Sequence, residues 1–132
     1  MHLVPADRAD HPVIDDHRVC EAIAALGDPG DVAAWADRFS LLGDPGRLSL
    51  LLCIWRAGPI SVTDLAVATG MHDTTVSQAL RLLRTAGIVA PQRDGRIVRY
   101  TIADQTVLPV LALANPPVSP VSPVISSVTG PR

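Results

Sequence analysis

The stretch SVTDLAVATGMHDTTVSQALRLLRTAG, residues 61–87, contains two short amphipathic segments separated by Gly70. In the first segment, Ser61 and Asp64 have the spacing of a capping box, which starts a helix. In the second segment, which Asp73 can cap, apolar residues recur at helical spacing from Val76 onwards. Two short helices joined by a glycine-containing turn predict a helix-turn-helix.

The second predicted helix is polar on the side that lies opposite its apolar stripe. At about 100° per residue, this side carries Thr74, Ser77, Gln78, Arg81, Arg84 and Thr85. Glutamine can pair with adenine and arginine with guanine in the major groove of DNA, and the short hydroxyls at the helix start, including Thr75, can approach bases or phosphates. The alternative is an ordinary solvated helix face.

The following stretch, IVAPQRDGRIVRYTI, residues 88–102, predicts two strands around a two-residue turn at Asp94-Gly95. Arg93, Arg96 and Arg99 lie on the tip and arms of this hairpin. A hairpin directly after a helix-turn-helix is a wing, and arginines on a wing suit contact with phosphates or the minor groove. The helix and the wing together favour a DNA-binding surface over a solvated one.

The pentapeptide LGDPG occurs twice upstream, at residues 26–30 and 42–46. Each copy predicts a helix start, with its aspartate as N-cap and its proline at the first helical position. These residues are Asp28 and Pro29, then Asp44 and Pro45.

The two predicted helices differ in their apolar patterns. The first, from about 31 to 42, has one apolar stripe that includes Trp35 and Phe39, whereas RLSLLLCIW, residues 47–55, is apolar nearly all round and predicts a buried central helix that Gly58 ends. The predicted fold class is therefore mainly α with a small β-hairpin wing, a winged helix-turn-helix.

Composition limits the classes of protein that this chain can be. A chain of 132 residues with a formal net charge of −2 can bury one modest core and does not coat nucleic acid by charge alone. The charge is uneven, because residues 1–46 hold nine acidic residues against three arginines, whereas residues 47–101 hold seven arginines against three aspartates. The basic charge is therefore concentrated where the helix-turn-helix and the wing are predicted.

The sequence also argues against an enzyme and against a membrane protein. The chain has no lysine, and no paired-carboxylate, nucleophile-elbow or phosphate-loop arrangement is visible. Its apolar runs are far shorter than the roughly 20 residues of a membrane-spanning helix. Two cysteines do not make a disulfide framework and no secretory signal opens the sequence, so we expect a cytoplasmic protein without enzymatic activity.

The segments LGDPGRLSLLL, ISVTDLAVATGM, TTVSQALRLLRTAGIV and RDGRIVRYTIAD resemble successive segments of the ArsR/SmtB family of bacterial winged-helix repressors, over residues 32–104. The resemblance implies a homodimer that binds a palindromic operator in double-stranded DNA and leaves it when an inducer, often a metal ion, binds. It places the recognition helix at residues 73–86 and the wing at residues 88–102. Ala79 departs from the family, in which many members carry a polar or imidazole side chain at this position, so a base contact there is not expected.

The metal sites that the resemblance implies lack their usual residues. In arsenic and cadmium or lead sensors a Cys-Val-Cys-Asp run opens the first helix of the motif, and residues 61–64 here read Ser-Val-Thr-Asp, without either thiolate. In zinc, nickel and cobalt sensors an Asp and several His line the last helix. Asp104 matches that Asp, but residues 105–117 contain no His, and we expect Pro109 to disturb a long helix there.

Other candidate metal ligands lie in DHPVIDDHRVCE, residues 10–21. Together with nearby carboxylates, His11, His17 and Cys20 could supply a mixed N, S and O donor set for zinc, nickel or cobalt as an inducer. The spacing matches no specific metal signature, and a solvated acidic segment explains it as well. A redox role for Cys20 or Cys53 is a further alternative.

The predicted organisation has three parts: an acidic and partly helical N-terminal segment over residues 1–27, the winged helix-turn-helix domain over residues 28–104, and a short apolar segment with a poorly ordered Pro/Ser/Val-rich tail over residues 105–132. In the family the first and last helices build the dimer interface, which places it here on the Trp35 and Phe39 stripe and on residues 104–114. The predicted function is a dimeric, sequence-specific DNA-binding repressor. The alternative is a protein-interaction module on a winged-helix scaffold.

Overall fold

The structure, a computed structural model, describes residues 4–115. The chain divides into two compact units, Met1–Leu42 and Gly43–Arg132. The predicted domain boundary after residue 27 therefore lies inside the first unit, because the helix that follows it clusters with the N-terminal segment. Among the described residues, no helix has both the length and the apolar character needed to cross a membrane.

The first unit contains a 3₁₀ turn, Ala6–Arg8, and two helices, α1 (Asp16–Ala25) and α2 (Asp31–Leu42). α1 begins after Asp15, whose carboxylate accepts a hydrogen bond from the Arg18 backbone N–H at 3.1 Å. An N-cap of this kind satisfies one of the backbone donors that the first helical turn leaves free. The N-terminal segment is thus partly helical.

The start of α2 differs from the prediction. The helix begins at Asp31, and its carboxylate accepts a hydrogen bond from the Asp28 backbone N–H at 2.8 Å. Gly30 has a φ of +94°, a conformation that glycine adopts far more easily than residues with a Cβ. Asp28 and Pro29 therefore lie in a turn before α2, and their predicted roles as N-cap and first helical residue are wrong.

The second LGDPG copy does start its helix as predicted, and α3 spans Pro45–Ala57. The Asp44 carboxylate accepts from the Arg47 backbone N–H at 3.0 Å. Leu50, Leu51 and Ile54 are buried in the core of the second unit. α3 is thus the central helix that the apolar run predicts, although Cys53 is only half-buried.

The helix-turn-helix consists of α4 (Val62–Thr69) and α5 (Asp73–Thr85). The Ser61 hydroxyl accepts from the Asp64 backbone N–H at 3.2 Å, and Gly70, with a φ of +76°, ends α4 as predicted. The N-cap of α5 is His72, without a side-chain cap bond, so Asp73 is the first residue of the helix rather than its cap.

A three-stranded antiparallel sheet completes the winged helix-turn-helix, with β1 (Ile60–Ser61), β2 (Val89–Asp94) and β3 (Ile97–Ile102) in the order β1-β3-β2. Asp94 pairs with Ile97, so the hairpin turn is Gly95-Arg96, one residue later than predicted. Gly95 has a φ of +64° and Arg96 does not have a positive φ, as in a type II′ turn with glycine at its first central position. The predicted fold class is confirmed.

The residues after the wing form a turn and a helix beyond residue 104, where the domain is predicted to end. Asp104 caps a 3₁₀ turn, Gln105–Val107, which leads into α6 (Leu108–Ala114). Val107 and Leu111 are fully buried. Pro109 lies in the first turn of α6, where a missing N–H is tolerated, and this helix is short, with seven residues. The predicted tail over residues 116–132 lies outside the described residues.

Candidate nucleic-acid interface

Burial of three side chains fixes the orientation of α5 in the second unit. Val76, Leu80 and Leu83 have no exposed surface, and they follow one another at the i, i+4 and i+3 spacing of a single helix face. The α5 residues predicted to contact DNA are consequently exposed. We call six of them the reading face: Thr74, Thr75, Ser77, Gln78, Arg81 and Arg84.

The arginines of the reading face are available for an external ligand. Neither Arg81 nor Arg84 forms an ion pair within residues 4–115. Thr85, which the helical wheel also places on this side, donates its hydroxyl to the Arg81 carbonyl at 2.9 Å. Because that hydrogen bond satisfies the Thr85 hydroxyl within the helix, we leave Thr85 out of the reading face.

One apolar side chain, Leu82, belongs to the exposed side of α5 and was missed by the sequence reasoning. It is 45% exposed and lies four residues after Gln78, which places the two side chains next to each other on the helix. The helical wheel could have identified it, since its angle is closer to Gln78 than to the buried stripe. An exposed leucine beside a glutamine suits contact with a thymine methyl group.

The wing distributes its three arginines over different surfaces. Arg93 pairs with Val98, whereas Arg99 pairs with Gln92. Since successive side chains of a strand point to opposite faces, Arg93 and Arg99 lie on opposite faces of the hairpin. Arg96 lies in the turn at the tip. The structure therefore does not bring the three predicted wing arginines together on one surface.

Arg99 already has an anionic partner. Its Nη1 lies 2.7 Å from an Asp94 carboxylate oxygen, and its side chain is 33% exposed. Neither Arg93 nor Arg96 forms an ion pair within the described part of the chain. Of the three wing arginines, Arg99 is thus the one whose charge is compensated inside the protein.

A hollow of about 360 Å³ brings a residue of the reading face next to the wing. Its charged side chains are Arg84 from α5 and Arg93 from β2. We call it the α5–β2 hollow. Its lining is Val62, Arg84, Pro91, Arg93, Val98 and Tyr100.

A second hollow of about 520 Å³ lies between residues 61–64 and residues 96–99. Here Ser61 and Thr63 occupy the positions at which the thiolates of soft-metal sensors are expected from the resemblance. Hydroxyls, the Asp64 carboxylate and two guanidinium groups are hard or cationic groups. This donor set does not fit a soft metal or a metalloid.

The N-terminal metal candidates are not assembled into a site in the part of the chain that the structure describes. His17 and Glu21 form a pair on α1, with 3.4 Å between Nε2 and Oε2. Cys20, which precedes Glu21 in the sequence, is half-buried. Asp15 is engaged as the N-cap of α1 and as an ion-pair partner of Arg18 at 3.0 Å. Within residues 4–115 no three His, Cys, Asp or Glu side chains are grouped to hold a metal ion.

Part of the surface predicted to form a dimer interface is exposed in the single chain. Val32 and Phe39 of α2 are 58% and 53% exposed, and the ring centroids of Trp35 and Phe39 are 5.5 Å apart. In the second unit, Leu113 of α6 is 83% exposed. Both elements thus carry apolar surface that the described chain leaves uncovered.

Residues 44–97, from the N-cap region of α3 to the start of β3, match the profile of the MarR family. Over 84 residues the chain is 40% identical to the HTH-type transcriptional regulator NmtR of Mycobacterium tuberculosis, which covers 64% of this chain and 69% of that protein. It is 33% identical over 99 residues to the transcriptional repressor SmtB homolog of Synechocystis sp., covering 75% of this chain and 74% of that one.

The fold is similar to that of the homodimeric winged helix-turn-helix DNA-binding domain Mb0332 from Mycobacterium bovis, a possible ArsR-family transcriptional regulator whose structure is known in solution. The TM-score is 0.55 at 28% sequence identity, over 90% of this chain and 94% of that domain. The similarity therefore extends beyond the helix-turn-helix to most of both chains.

Proposed function

Because this chain belongs to the ArsR/SmtB family of winged helix-turn-helix transcriptional regulators, we propose that it acts as a homodimeric repressor, reading a palindromic operator with α5 and holding the DNA backbone with the wing. The observation that carries this proposal is the reading face. Its polar side chains are exposed, its arginines are free of carboxylate partners in the described chain, and three fully buried residues fix its orientation.

In this proposal the side chains of α5 divide into two kinds of contact. Gln78 and Arg81 contact base edges in the major groove, because glutamine and arginine can each make two hydrogen bonds to one base. Thr74, Thr75 and Ser77, near the start of α5, contact backbone phosphates or nearby bases. Leu82 adds an apolar contact to a thymine methyl group.

The wing contributes affinity rather than sequence discrimination. Arg93 and Arg96 neutralise phosphates, a contact that is the same for every sequence and weakens as salt rises. Arg99 was predicted to do the same. We propose that it instead stabilises the wing through its ion pair with Asp94.

The dimer follows from the geometry of operator recognition. One small winged helix presents little contact surface, and a two-fold protein matches a palindromic site with one recognition helix in each half-site. The exposed apolar residues of α2 and α6 supply surface that a second copy can cover. Mb0332, which resembles this chain over most of its length, is homodimeric.

A metal inducer does not enter the mechanism, because within residues 4–115 of one chain no three metal-ligating side chains are grouped. The thiolate positions hold hydroxyls, and the N-terminal candidates provide only the His17–Glu21 pair at 3.4 Å with Cys20 nearby. We retain zinc, nickel or cobalt as the inducer class to be tested. His17 and Glu21 are the ligands to be examined first.

The test is a binding titration with a duplex from the promoter of the protein's own gene and a scrambled duplex of equal length and composition. At physiological salt we expect the promoter duplex to bind at least about 10³-fold more tightly than the scrambled one. Equal affinity for both duplexes would contradict a sequence-specific repressor. Absence of any salt-dependent duplex binding would favour the protein-interaction module.

The same titration identifies the inducer when it is repeated with zinc, nickel, cobalt, arsenite or an oxidant. Release by zinc or nickel that is lost in His17→Ala would assign the metal to α1. Release by the oxidant that is lost in Cys20→Ser or Cys53→Ser would assign a redox switch to that cysteine.

A further inference from the structure

The α5–β2 hollow is formed by side chains that the helix and the sheet register bring together. Arg84 follows the fully buried Leu83, which fixes its direction at the end of α5. On the wing, Pro91 pairs with Tyr100 and Arg93 pairs with Val98. Directly opposite residues share a face, and alternate residues on one strand share it too. All four wing side chains of the hollow therefore lie on one face of the hairpin.

The polar side chains of this hollow are all hydrogen-bond donors. Arg84 and Arg93 carry guanidinium groups, which have no acceptor, and Tyr100 carries a phenolic hydroxyl, while Val62, Pro91 and Val98 are apolar. Within residues 4–115, neither arginine forms an ion pair and the Tyr100 hydroxyl forms no hydrogen bond. A ligand that satisfies this lining must be negatively charged and rich in acceptors.

The opposite face of the wing carries both positive and negative side chains. There Arg99 is paired with Asp94 at 2.7 Å, and the hollow of residues 61–64 and 96–99 also contains the Asp64 carboxylate. On that side, Arg99 therefore has a negative partner within the protein. The α5–β2 hollow contains two guanidinium groups and no carboxylate in its lining.

We infer that the α5–β2 hollow is a phosphate-binding site in which Arg84 and Arg93 bind one oxyanion from the helix side and the wing side, and Tyr100 donates a third hydrogen bond. This inference rests on the proposed function, which makes the ligand a phosphodiester of operator DNA. Guanidinium groups bind phosphate oxygens through paired, charge-assisted hydrogen bonds. A phosphate held from both sides sets the position of α5 and the wing on the same DNA strand.

Salt dependence of DNA binding tests the site, because each neutralised phosphate contributes about 0.9 to the slope of log K against log salt. We expect Arg84→Gln and Arg93→Gln each to weaken binding to the promoter and scrambled duplexes alike and to lower the slope by at most about 1 per subunit. Since both arginines share one phosphate, the double variant should lower the slope by about 1 per subunit in total. A loss of about 2 per subunit in the double variant would overturn the shared site.

Tyr100→Phe and Arg99→Gln are the matched variants. Removing the Tyr100 hydroxyl deletes a hydrogen bond without deleting a charge, so binding weakens while the slope is unchanged. Arg99→Gln removes the same charge as Arg93→Gln from the same hairpin, but from the face on which Asp94 neutralises it, and the slope should change little. An unchanged circular dichroism spectrum and melting temperature establish that each variant is folded.

Two further arms separate a DNA phosphate from a free anion. In the first arm, neutral methylphosphonates replace backbone phosphates of the promoter duplex, at one position per half-site. At the position that Arg84 contacts, the Arg84→Gln variant and the wild type should bind the modified duplex equally, because the charge that Arg84 neutralises is gone. Inorganic phosphate is titrated into the DNA-free protein while the arginine Nε–H signals are followed by NMR. Saturable shifts at Arg84 and Arg93, together with release of the promoter duplex when phosphate is added to the protein–DNA complex, support the same site with a small phosphate compound as its ligand.

The inference fails if the Arg84, Arg93 and Tyr100 variants bind DNA like wild type and inorganic phosphate shifts none of their signals. This failure is distinct from failure of the proposed function. A protein that binds promoter and scrambled duplexes equally is not a sequence-specific repressor. The salt slope of the hollow variants can still be measured on either duplex, because a phosphate contact does not depend on sequence.

Discussion

The recognition helix and the wing both carry arginines, but the structure makes them available in different ways. On α5, one buried stripe of Val76, Leu80 and Leu83 is sufficient to expose Arg81 and Arg84 on the other side. On the wing, two of the three arginines lie on opposite faces, and Arg99 is paired with Asp94. The number of arginines therefore predicts the available positive charge of the helix better than that of the wing.

The difference comes from the geometry of the two elements. The angle between two side chains of a helix depends only on their separation within that helix. In the hairpin, a turn at residues 94–95 and the observed turn at residues 95–96 both place Arg93 and Arg99 on opposite faces, because they differ in register by two residues. The turn position instead decides the cross-strand partners and moves Arg96 from an arm to the tip, so these cannot be interpreted from spacing within one strand.

The largest effect that would sharpen this comparison is expected on α5. Gln78→Ala or Arg81→Ala should cost about 1 to 3 kcal/mol of binding free energy on the operator and relax discrimination at one base position. Arg56→Ala serves as the control, since it removes a charge from the end of α3, where the guanidinium stacks on Trp55. A competition titration against operators with single base changes measures both quantities. Unchanged discrimination in the two α5 variants would contradict the assigned reading face.

A somewhat smaller effect is expected from the turn of the wing. Gly95 has a φ of +64°, and a Cβ there would meet no other atom within 4 Å, so the cost of Gly95→Ala is backbone strain alone. We expect the free energy of unfolding to fall by about 1 to 2 kcal/mol. Asparagine is favoured over alanine in the left-handed helical region but not at the first position of a type II′ turn, so Gly95→Asn should lose about as much as Gly95→Ala.

Urea unfolding measures the stability of both Gly95 variants, and the DNA titration measures whether the loss stays in the wing. The salt slope should decrease, because Arg96 occupies the same turn, while the preference of α5 for the operator is retained. If Gly95→Ala abolished base discrimination instead, the helix and the wing would not be separable as proposed.

The smallest effect concerns the ion pair of the wing. Asp94→Asn should change the free energy of unfolding by less than about 1 kcal/mol, because the Asp94 side chain is 79% exposed and surface ion pairs contribute little. With Arg99 released, DNA binding should strengthen and its salt slope should rise by up to about 1. Arg96→Gln should lower the slope, whereas Arg99→Gln should not. Equal decreases in these two variants would restore Arg99 as a direct phosphate contact.

The two LGDPG copies show why an identical motif was interpreted correctly only once. Asp44 accepts from the Arg47 N–H and Pro45 begins α3, but in the first copy the residue after the motif is Asp31, whose own carboxylate accepts from the Asp28 N–H. This hydrogen bond and the positive φ of Gly30 hold residues 28–30 in a turn, so the helix begins only at Asp31.

The C-terminal part illustrates a different limit of sequence reasoning. The sequence predicts Pro109 to be an obstacle to a long helix, because a proline inside a helix removes a hydrogen bond. Asp104 caps a 3₁₀ turn that ends at Val107, so the helix begins late enough to place Pro109 in its first turn. Burial of Val107 and Leu111 then stabilises this short helix.

By itself the sequence determined the elements whose information is local: the fold class, the helix-turn-helix, the apolar stripe of α5 and the exposed positions opposite it. Tertiary structure alone decided which arginines are free and which are compensated, because Asp94 and Arg99 meet through the pairing of β2 with β3. It also decided that Arg84, Arg93 and Tyr100 line one hollow. Such sites join residues of different strands and helices, so their charge and their donors are set by packing and strand pairing and not by spacing within one segment.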